Sequence, residues 1–313
     1  MSNPTLSWNL VSDVRELFAY QFMVNALEAG TIVAVMAGVV GWYMVLRRQS
    51  FAGHTIAVMS FPGAAGAALA GVPLALGSYL ACGIAALAIG RSGGAAGRGR
   101  GGESAAIGVV QVGGLALGFL FLSLYGGVLE QLDTLLFGTF LGIDRDQVLT
   151  LLLVAVAVLT ALALVGRPLL LASLDPEVAR ARAIPVRALR VGFLLILGLA
   201  VAATSQITGA LLVFALLVAP PAAAQALTPR PALSLALSVA FALLVTWLGL
   251  AIAYYSIYPL GFFVTSLAFG LYVLALLARA ARRRAAAGPS VDARAPAAPA
   301  DVLSYRPRPT PTA

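Results

Sequence analysis

The sequence contains no lysine, one cysteine and one histidine, and only 10% of its residues are charged. Without lysine the chain cannot carry the GxxxxGK[ST] loop that holds nucleotide phosphates, and it cannot form a lysine Schiff base. The lone Cys82 excludes an internal disulfide framework, and we expect it to be a buried thiol between packed helices. These absences exclude P-loop nucleotide binding and lysine-based covalent catalysis by this chain.

Apolar residues make up most of the chain. Of its 313 residues 61% are hydrophobic, and the mean hydropathy is +0.96. Soluble domains are about 45–50% apolar and about 25% charged, and one crossing of a bilayer takes about 20 apolar residues. The composition therefore predicts an all-α, polytopic protein of the plasma membrane, with the lipid bilayer as its main partner.

Nine apolar segments separated by polar or proline-containing turns are long enough to predict nine transmembrane helices. They are residues 18–46, 55–71, 74–90, 104–125, 147–166, 191–206, 209–227, 232–253 and 259–279. Segment 126–146 carries five charged side chains around a short apolar run, which predicts an interfacial or re-entrant piece.

Arginine placement predicts the orientation. With the N-terminus outside and nine crossings, eighteen of the twenty arginines fall on one side, and only Arg15 and Arg145 fall on the other. Cytoplasmic loops of membrane proteins are enriched in basic residues, so this side is the cytoplasm and the C-terminus lies there. The net charge of +8 then reflects topology, and we expect no nucleic-acid partner, since no basic stripe with interleaved aromatic residues is present.

The chain divides into three parts. Residues 1–17 form an extracytoplasmic N-terminal segment, residues 18–279 the transmembrane domain, and residues 280–313 a Pro/Ala/Arg-rich tail. Such a composition cannot bury a core, so the tail is predicted to be a disordered basic cytoplasmic segment.

The longest polar interruption inside the membrane domain is residues 167–190. Asp175 suits a helix N-cap, Pro176 the first helical position and Glu177 the positive end of the helix dipole. The following residues, which include Ala179 and Arg180, favour a helix that Pro185 ends. We expect a short helix on the cytoplasmic face. It either docks a partner or is an ordinary amphipathic connector between two spans.

Few side chains in the apolar segments could bind a metal ion. His54 opens the second span and Met59 follows five residues later, while Glu28 lies in the outer third of the first span. An intramembrane carboxylate indicates a functional site by default, but near a helix end it can simply reach water. A single histidine can equally be an interfacial or hydrogen-bonded residue, because metal sites need several converging ligands.

Pro220 and Pro221 interrupt the seventh span near its cytoplasmic half. Proline removes backbone donors and kinks a helix, and broken helices line the path in many transport proteins. A passive kink is the alternative. The small residues of the second span, from Gly63 to Gly71, predict a helix packed among others.

Taken together, three blocks resemble the permease of ABC-type zinc and manganese importers. GWYMVLRRQSFAGHTIAVMSFPG (41–63) is similar to that family's G-x-x-hydrophobic-x-L-R-R-x-S-F-x-G-D-A-x-S-H-A-x-x-P-G stretch, and LASLDPEVARARAIPV (171–186) to its cytoplasmic DPE segment. TGALLVFALLVAPPAAAQAL (208–227) and GLAIAYYSIYPLG (249–261) complete the resemblance, which covers about residues 20–278.

The resemblance implies a transport subunit and not an enzyme. It implies a homodimer of permeases on two separate cytoplasmic ATPase subunits, which hydrolyse the ATP, and an extracytoplasmic metal-binding protein that delivers Zn or Mn. The helix at Asp175–Ala183 would be the coupling helix that sits in an ATPase cleft. Pro62, Gly63, Pro220 and Pro221 would be helix breaks along the path, and the chain itself would hold no cofactor.

Three positions depart from the family pattern. Asp of the G-D-A triplet is replaced by His54, His of the S-H-A triplet by Val58, and an Asp before the later Pro-x-Gly by Ile257. Transition metals are bound by N, O or S donors, and only His54, Met59 and Ser60 remain near the first two positions. The cargo is therefore a divalent metal that passes few protein ligands, or another small cargo such as a metal chelate.

Two other classes remain as rivals. An ion-coupled secondary carrier keeps intramembrane acidic residues for coupling, and Glu28 alone fits that role, which counts against a carrier. A membrane enzyme would need paired carboxylates or a histidine cluster in a span, and the sequence has neither.

Overall fold

A computed structural model describes residues 18–92, 100–125, 142–256 and 258–286. This part of the chain is all-α, as predicted: eleven helices and no strand. The helices are α1 (Gln21–Leu46), α2 (Ser50–Val58), α3 (Ser60–Ala70), α4 (Leu74–Ser92), α5 (Arg100–Tyr125), α6 (Arg145–Leu174), α7 (Pro176–Ala181), α8 (Val186–Thr208), α9 (Ala210–Leu227), α10 (Pro231–Tyr254) and α11 (Leu260–Ala286).

Seven of these helices are long and apolar enough to cross a membrane by length and composition. They are α1, α4, α5, α6, α8, α10 and α11. The seventh predicted span corresponds to α9, whose apolar stretch Leu212–Leu227 is shorter than those seven. The second predicted span consists of two short helices, α2 and α3, which meet at Met59. Every predicted span is therefore helical, and seven of the nine have the length of a straight crossing.

The helix ends differ from the predicted ones where charge or glycine was taken to end a span. α6 continues past the predicted end at residue 166 through Pro168 to Leu174, and α5 begins at Arg100, four residues before the predicted start at residue 104. α11 extends to Ala286, seven residues into the expected tail. Residues 1–17, 93–99, 126–141, 287–313 and Ile257 lie outside the described residues, and the expected re-entrant piece lies among them except for residues 142–146.

The core forms around two central elements. α1 buries fourteen of its residues and packs against α6, α9 and α10. The α2–α3 pair packs against α4, α5, α8 and α9, which is the surrounded position that its small residues predicted. Gly63 of α3 and Gly77 of α4 touch backbone to backbone, so a methyl group on either residue would overlap the other's carbonyl oxygen. Small residues at such contacts are how helices approach closely in lipid.

Contacts between helix ends place five termini at the same end of the bundle. Arg47, just after α1, bonds Ser173 near the end of α6, and Gly90 near the end of α4 packs against Val191 at the start of α8. Trp42 donates to Ser234 in the first turn of α10. Arg47 also lies over the ring of Phe193 near the start of α8, which links the two groups of contacts. α1, α4 and α6 therefore run in one direction and α8 and α10 in the other.

Candidate translocation path and coupling segment

His54 lies on α2, one turn from the start of that helix, and its side chain is half-buried. Its ring centroid is 4.7 Å from that of Phe214 on α9. The Nδ1 atom is buried and has no hydrogen-bond partner. A buried imidazole nitrogen without a partner is uncommon, and it is the atom that a cargo metal or a water molecule would satisfy.

The neighbours of His54 along α2 face different helices. Thr55 is fully buried and donates to Oε1 of Gln111 on α5, 3.0 Å away. Val58, one turn after His54, is half-buried. His54 and Val58 therefore share one helix face, four residues apart.

Met59 does not join His54. It is buried, and its sulfur packs against Gly114 of α5, where a side chain would overlap it. Met59, Pro62 and Gly63 line an apolar cavity of about 460 Å³ between α3, α4 and α5. These three predicted path residues thus contact a different set of helices from His54.

Glu28 is also separate from His54. It is exposed on the N-terminal half of α1, whereas Met44, sixteen residues along the same helix, contacts Gly53 next to His54. At 1.5 Å per residue that spacing is roughly 24 Å along the helix axis. No group of three or more His, Cys, Asp or Glu side chains converges within the described ranges.

α9 is continuous through Pro220 and Pro221, so the two prolines do not break the helix. Each proline lacks the N–H that would bond the carbonyl four residues earlier, which leaves the carbonyls of Leu216 and Leu217 without that bond. The Leu217 carbonyl instead faces Gly41 of α1, and a Cβ at Gly41 would overlap its oxygen. One consequence of the proline pair is therefore a tight contact between α9 and α1.

The predicted helix at Asp175 is present as α7. The Asp175 carboxylate accepts hydrogen bonds from the backbone N–H groups of Glu177 (3.1 Å) and Val178 (3.0 Å), and Pro176 is the first helical residue. The helix ends at Ala181, and Ala183 then adopts a positive φ of 56° before Pro185. These local features explain why six residues form a stable turn of helix between α6 and α8.

α7 presents a mixed surface. Ala179 is fully buried against the membrane domain, while Asp175, Pro176, Glu177 and Arg180 are exposed. Among apolar side chains, Val178 is 40% exposed and Leu174, at the end of α6, is 62% exposed. The exposed surface of α7 and its junction with α6 therefore combines charged side chains with two exposed apolar ones.

The sequence pattern missed the partners of the site residues. Phe214 and Gln111 are separated from His54 and Thr55 by 160 and 56 positions, and neither stands out among the apolar residues of its own helix. The link from Arg47 to Ser173 spans 126 positions. No local spacing signals such contacts.

The sequence profile of the ABC 3 transport family matches residues 19–279, which is the whole described membrane domain apart from its ends. The chain belongs to the ABC 3 transport family. The resemblance to permeases of ABC metal importers is thereby confirmed, and the chain is a multi-pass inner-membrane transport subunit.

Two curated relatives illustrate the family. The chain is 33% identical over 233 residues to the manganese transport system membrane protein MntC of Halalkalibacterium halodurans, covering 74% of this chain and 79% of that protein. It is 32% identical over 211 residues to the chelated iron transport system membrane protein YfeD of Yersinia pestis, covering 67% of this chain and 70% of that protein.

A solved structure of similar fold is PsaBC from Streptococcus pneumoniae in complex with Fab. The match has a TM-score of 0.75 at 25% sequence identity and covers 85% of this chain and 95% of the matched chain. The helical arrangement described above is therefore similar to that of this solved structure over most of its length.

Proposed function

We propose that the chain is the permease of an ATP-driven importer for a divalent transition metal, Mn or Zn. The observation that carries this proposal is the 33% identity to a manganese transport membrane protein, which extends over most of both chains. A transport role is consistent with the absence of lysine. The chain has no P-loop, so a separate ATPase would supply the energy.

We propose nine crossings, with the N-terminus outside and the C-terminus in the cytoplasm. Support comes from the helix ends that meet near Arg47: the basic residues Arg91, Arg190 and Arg230 lie next to the same ends of α4, α8 and α10. At the opposite end, Asn25 at the start of α1 donates to the carbonyl of Ile143 before α6, 2.9 Å away. The α2–α3 pair and α9 would supply the two crossings beyond the seven long helices.

His54 is the proposed contact point of the cargo. Imidazole suits Zn ligation in particular, and the buried Nδ1 of His54 has no hydrogen-bond partner. His54, Val58 and Phe214 are only half-buried in the single chain, so a second copy could cover them. A two-fold homodimer would bring a second set of the same residues to the same surface, because both partners of such an interface use the same patch.

α7 is the proposed docking element for the ATPase. Asp175, Pro176, Glu177 and Arg180 form its exposed surface, and Ala179 anchors it to the membrane domain. An extracytoplasmic binding protein would deliver the metal at the other end of the bundle. ATP-driven closure of the ATPases would then move α7 and switch the path from outward-facing to inward-facing.

A metal chelate is the second candidate cargo. The Yersinia pestis relative, named as a chelated iron transport protein, is nearly as similar as the manganese relative. A chelate needs fewer protein ligands than a bare ion, which suits a path with His54 as its sole proposed ligand.

Reconstitution tests both cargoes. The permease, its ATPase and its binding protein are placed in lipid vesicles, and ATP-dependent uptake of Mn²⁺, Zn²⁺ and a ferric chelate is measured. We expect Mn²⁺ or Zn²⁺ to enter and to stimulate ATP hydrolysis. If neither ion enters while the chelate does, the chelate replaces the metal ion as the cargo; if none enters, the transport proposal fails.

A further inference from the structure

Arg47 connects two segments that the proposed mechanism treats separately. It follows the last residue of α1, and its Nη1 donates to Oγ of Ser173, 3.0 Å away. Its Nε donates to Oε1 of Gln49, 3.2 Å away. The guanidinium also lies over the ring of Phe193, 5.4 Å from the ring centroid. One side chain therefore touches α6, the start of α2 and α8.

The two hydrogen-bonded residues occupy informative positions. Ser173 is two residues before Asp175, the residue that caps α7. Gln49 is the N-cap position of α2, five residues before His54, and its carbonyl accepts from Gly53 at 2.9 Å. The chain between α1 and α2 is a short turn, in which Arg48 adopts a positive φ of 56° and the backbone N–H of Gln49 donates to the carbonyl of Met44, 3.0 Å away.

We propose that Arg47 is a positioning residue that transmits movement of α7 to α2, and so from the ATPase to the cargo site. The proposal rests on the proposed docking of the ATPase at α7. A guanidinium is planar and presents its donors in a rigid fork, so it can hold Ser173 and Gln49 in one fixed relation. A displacement of the α6–α7 junction then moves the first turn of α2 with it.

Arg47 is partly buried, which a role as a simple surface charge does not explain. Burial, and in second place the charge of Arg190, lowers the pKa of Arg47. A charge kept in such surroundings is costly unless its hydrogen bonds are satisfied, and Ser173 and Gln49 satisfy two of them. An arginine whose only role was to set the orientation of the chain in the membrane could point into water.

The first test uses Arg47→Lys in the full complex of permease and ATPase. Lysine keeps the positive charge and therefore the topology, but a single ammonium group on a flexible stem cannot reproduce the fork. The readout is a cysteine at position 58 (Val58→Cys, with Cys82→Ala), whose labelling rate by a small maleimide is measured with and without ATP. This readout reports movement of α2 and needs no cargo.

In the permease that keeps Arg47, we expect ATP to change the labelling rate of the cysteine introduced by Val58→Cys. In Arg47→Lys this ATP-dependent change should be smaller by about threefold or more. ATPase co-purification and thermal stability are expected to stay the same. The proposal is overturned if ATP changes the labelling rate equally in the permease with Arg47 and in Arg47→Lys. It is also overturned if ATP does not change the labelling rate in the permease with Arg47.

The second test uses Ser173→Ala and Gln49→Ala, alone and together. If the two contacts act in series, breaking either one interrupts the link, so each single variant should lose as much as the double variant. Ser123→Ala is the matched control, since the hydroxyl of Ser123 donates to the carbonyl of Leu120 in its own helix, 2.8 Å away, and makes no hydrogen bond to α1 or α2 within the described residues. If the losses of the two single variants multiply in the double variant, or if no variant loses the ATP-dependent change, transmission through Arg47 is contradicted.

The same preparations separate this proposal from the proposed function. If Asp175 and Glu177 variants bind ATPase normally, the docking role of α7 fails. If docking depends on those residues and Arg47→Lys still relays the ATP-dependent change, the role of Arg47 fails alone.

Discussion

The rings of His54 and Phe214 meet 4.7 Å apart and join α2 to α9. The contact packs the chain's single histidine against the helix that contains Pro220 and Pro221. It is the point at which two segments singled out in the sequence, the first and third blocks of the family resemblance, come together in the fold. Metal specificity is therefore tested first at this position.

His54→Ala is expected to lower ATP-dependent uptake of Mn²⁺ and Zn²⁺ by about tenfold or more, by analogy with losses at metal sites. The reason is the loss of the proposed ligand on this face of α2. Uptake by reconstituted vesicles measures it, with Phe51→Ala, an exposed residue one turn earlier on the same helix, as control. Uptake at the normal rate would leave His54 with a structural role only.

His54→Asp tests the same position for selectivity. Carboxylates suit Mn more than Zn, while imidazole suits Zn, so the ratio of Mn²⁺ to Zn²⁺ uptake should rise. Competition between the two ions in one vesicle preparation gives that ratio directly. A ratio unchanged from that of the parent chain would show that residue 54 does not contact the cargo.

Asp175→Ala together with Glu177→Ala should weaken co-purification of the ATPase while membrane insertion stays intact. The change removes two exposed charges of α7 and the N-cap, whose loss alone costs about 1 kcal/mol of helix stability. Asp175→Asn keeps a capping oxygen without the charge, so it separates the two effects. Asp146→Ala, an exposed carboxylate at the other end of α6, is the control.

Gly41→Ala should destabilise the membrane domain by about 1–3 kcal/mol, the usual cost of overpacking. Its Cβ would overlap the carbonyl oxygen of Leu217, which the proline pair leaves exposed to α1. Thermal unfolding in detergent measures the loss. Gly83→Ala in α4 is the matched control, because nothing lies within 4 Å of a Cβ there and no loss is expected.

Single cysteines test the proposed topology in a Cys82→Ala chain. With nine crossings, Val72→Cys and Ser256→Cys face outside, whereas Thr228→Cys faces the cytoplasm. A membrane-impermeant maleimide applied to intact cells should label the first two and spare the third until the membrane is opened. Protection of Val72→Cys would show that α2 and α3 do not cross.

Much of the architecture could be predicted from the sequence because its causes are local. Asp175 caps the helix that Pro176 begins, and both contacts lie within three residues, so α7 could be derived without a fold. Apolar length likewise indicated the seven helices that are long enough to cross a membrane. The predicted second span proved to be α2 and α3 in sequence, with Met59 at their junction.

The partners of these residues followed no local rule. Met59 was a path candidate because it is one of the few possible metal donors near His54 in the sequence, but it packs on α5 while His54 packs on α9. Five residues on a helix correspond to about 140° of rotation, so the two side chains face different neighbours. Which neighbours those are depends on helix packing across the whole chain.

The sequence by itself determined the apolar composition, the all-helical class, the exclusion of a P-loop and the capped helix at Asp175, because each depends on residue type or on contacts a few positions apart. Only the tertiary structure decided that His54 meets Phe214, that Gly41 receives the Leu217 carbonyl, and that Arg47 bonds both Gln49 and Ser173. The two longest of these contacts, His54–Phe214 and Gly41–Leu217, join residues more than 150 positions apart, and close packing of helices selects them among many apolar surfaces of nearly equal hydrophobicity.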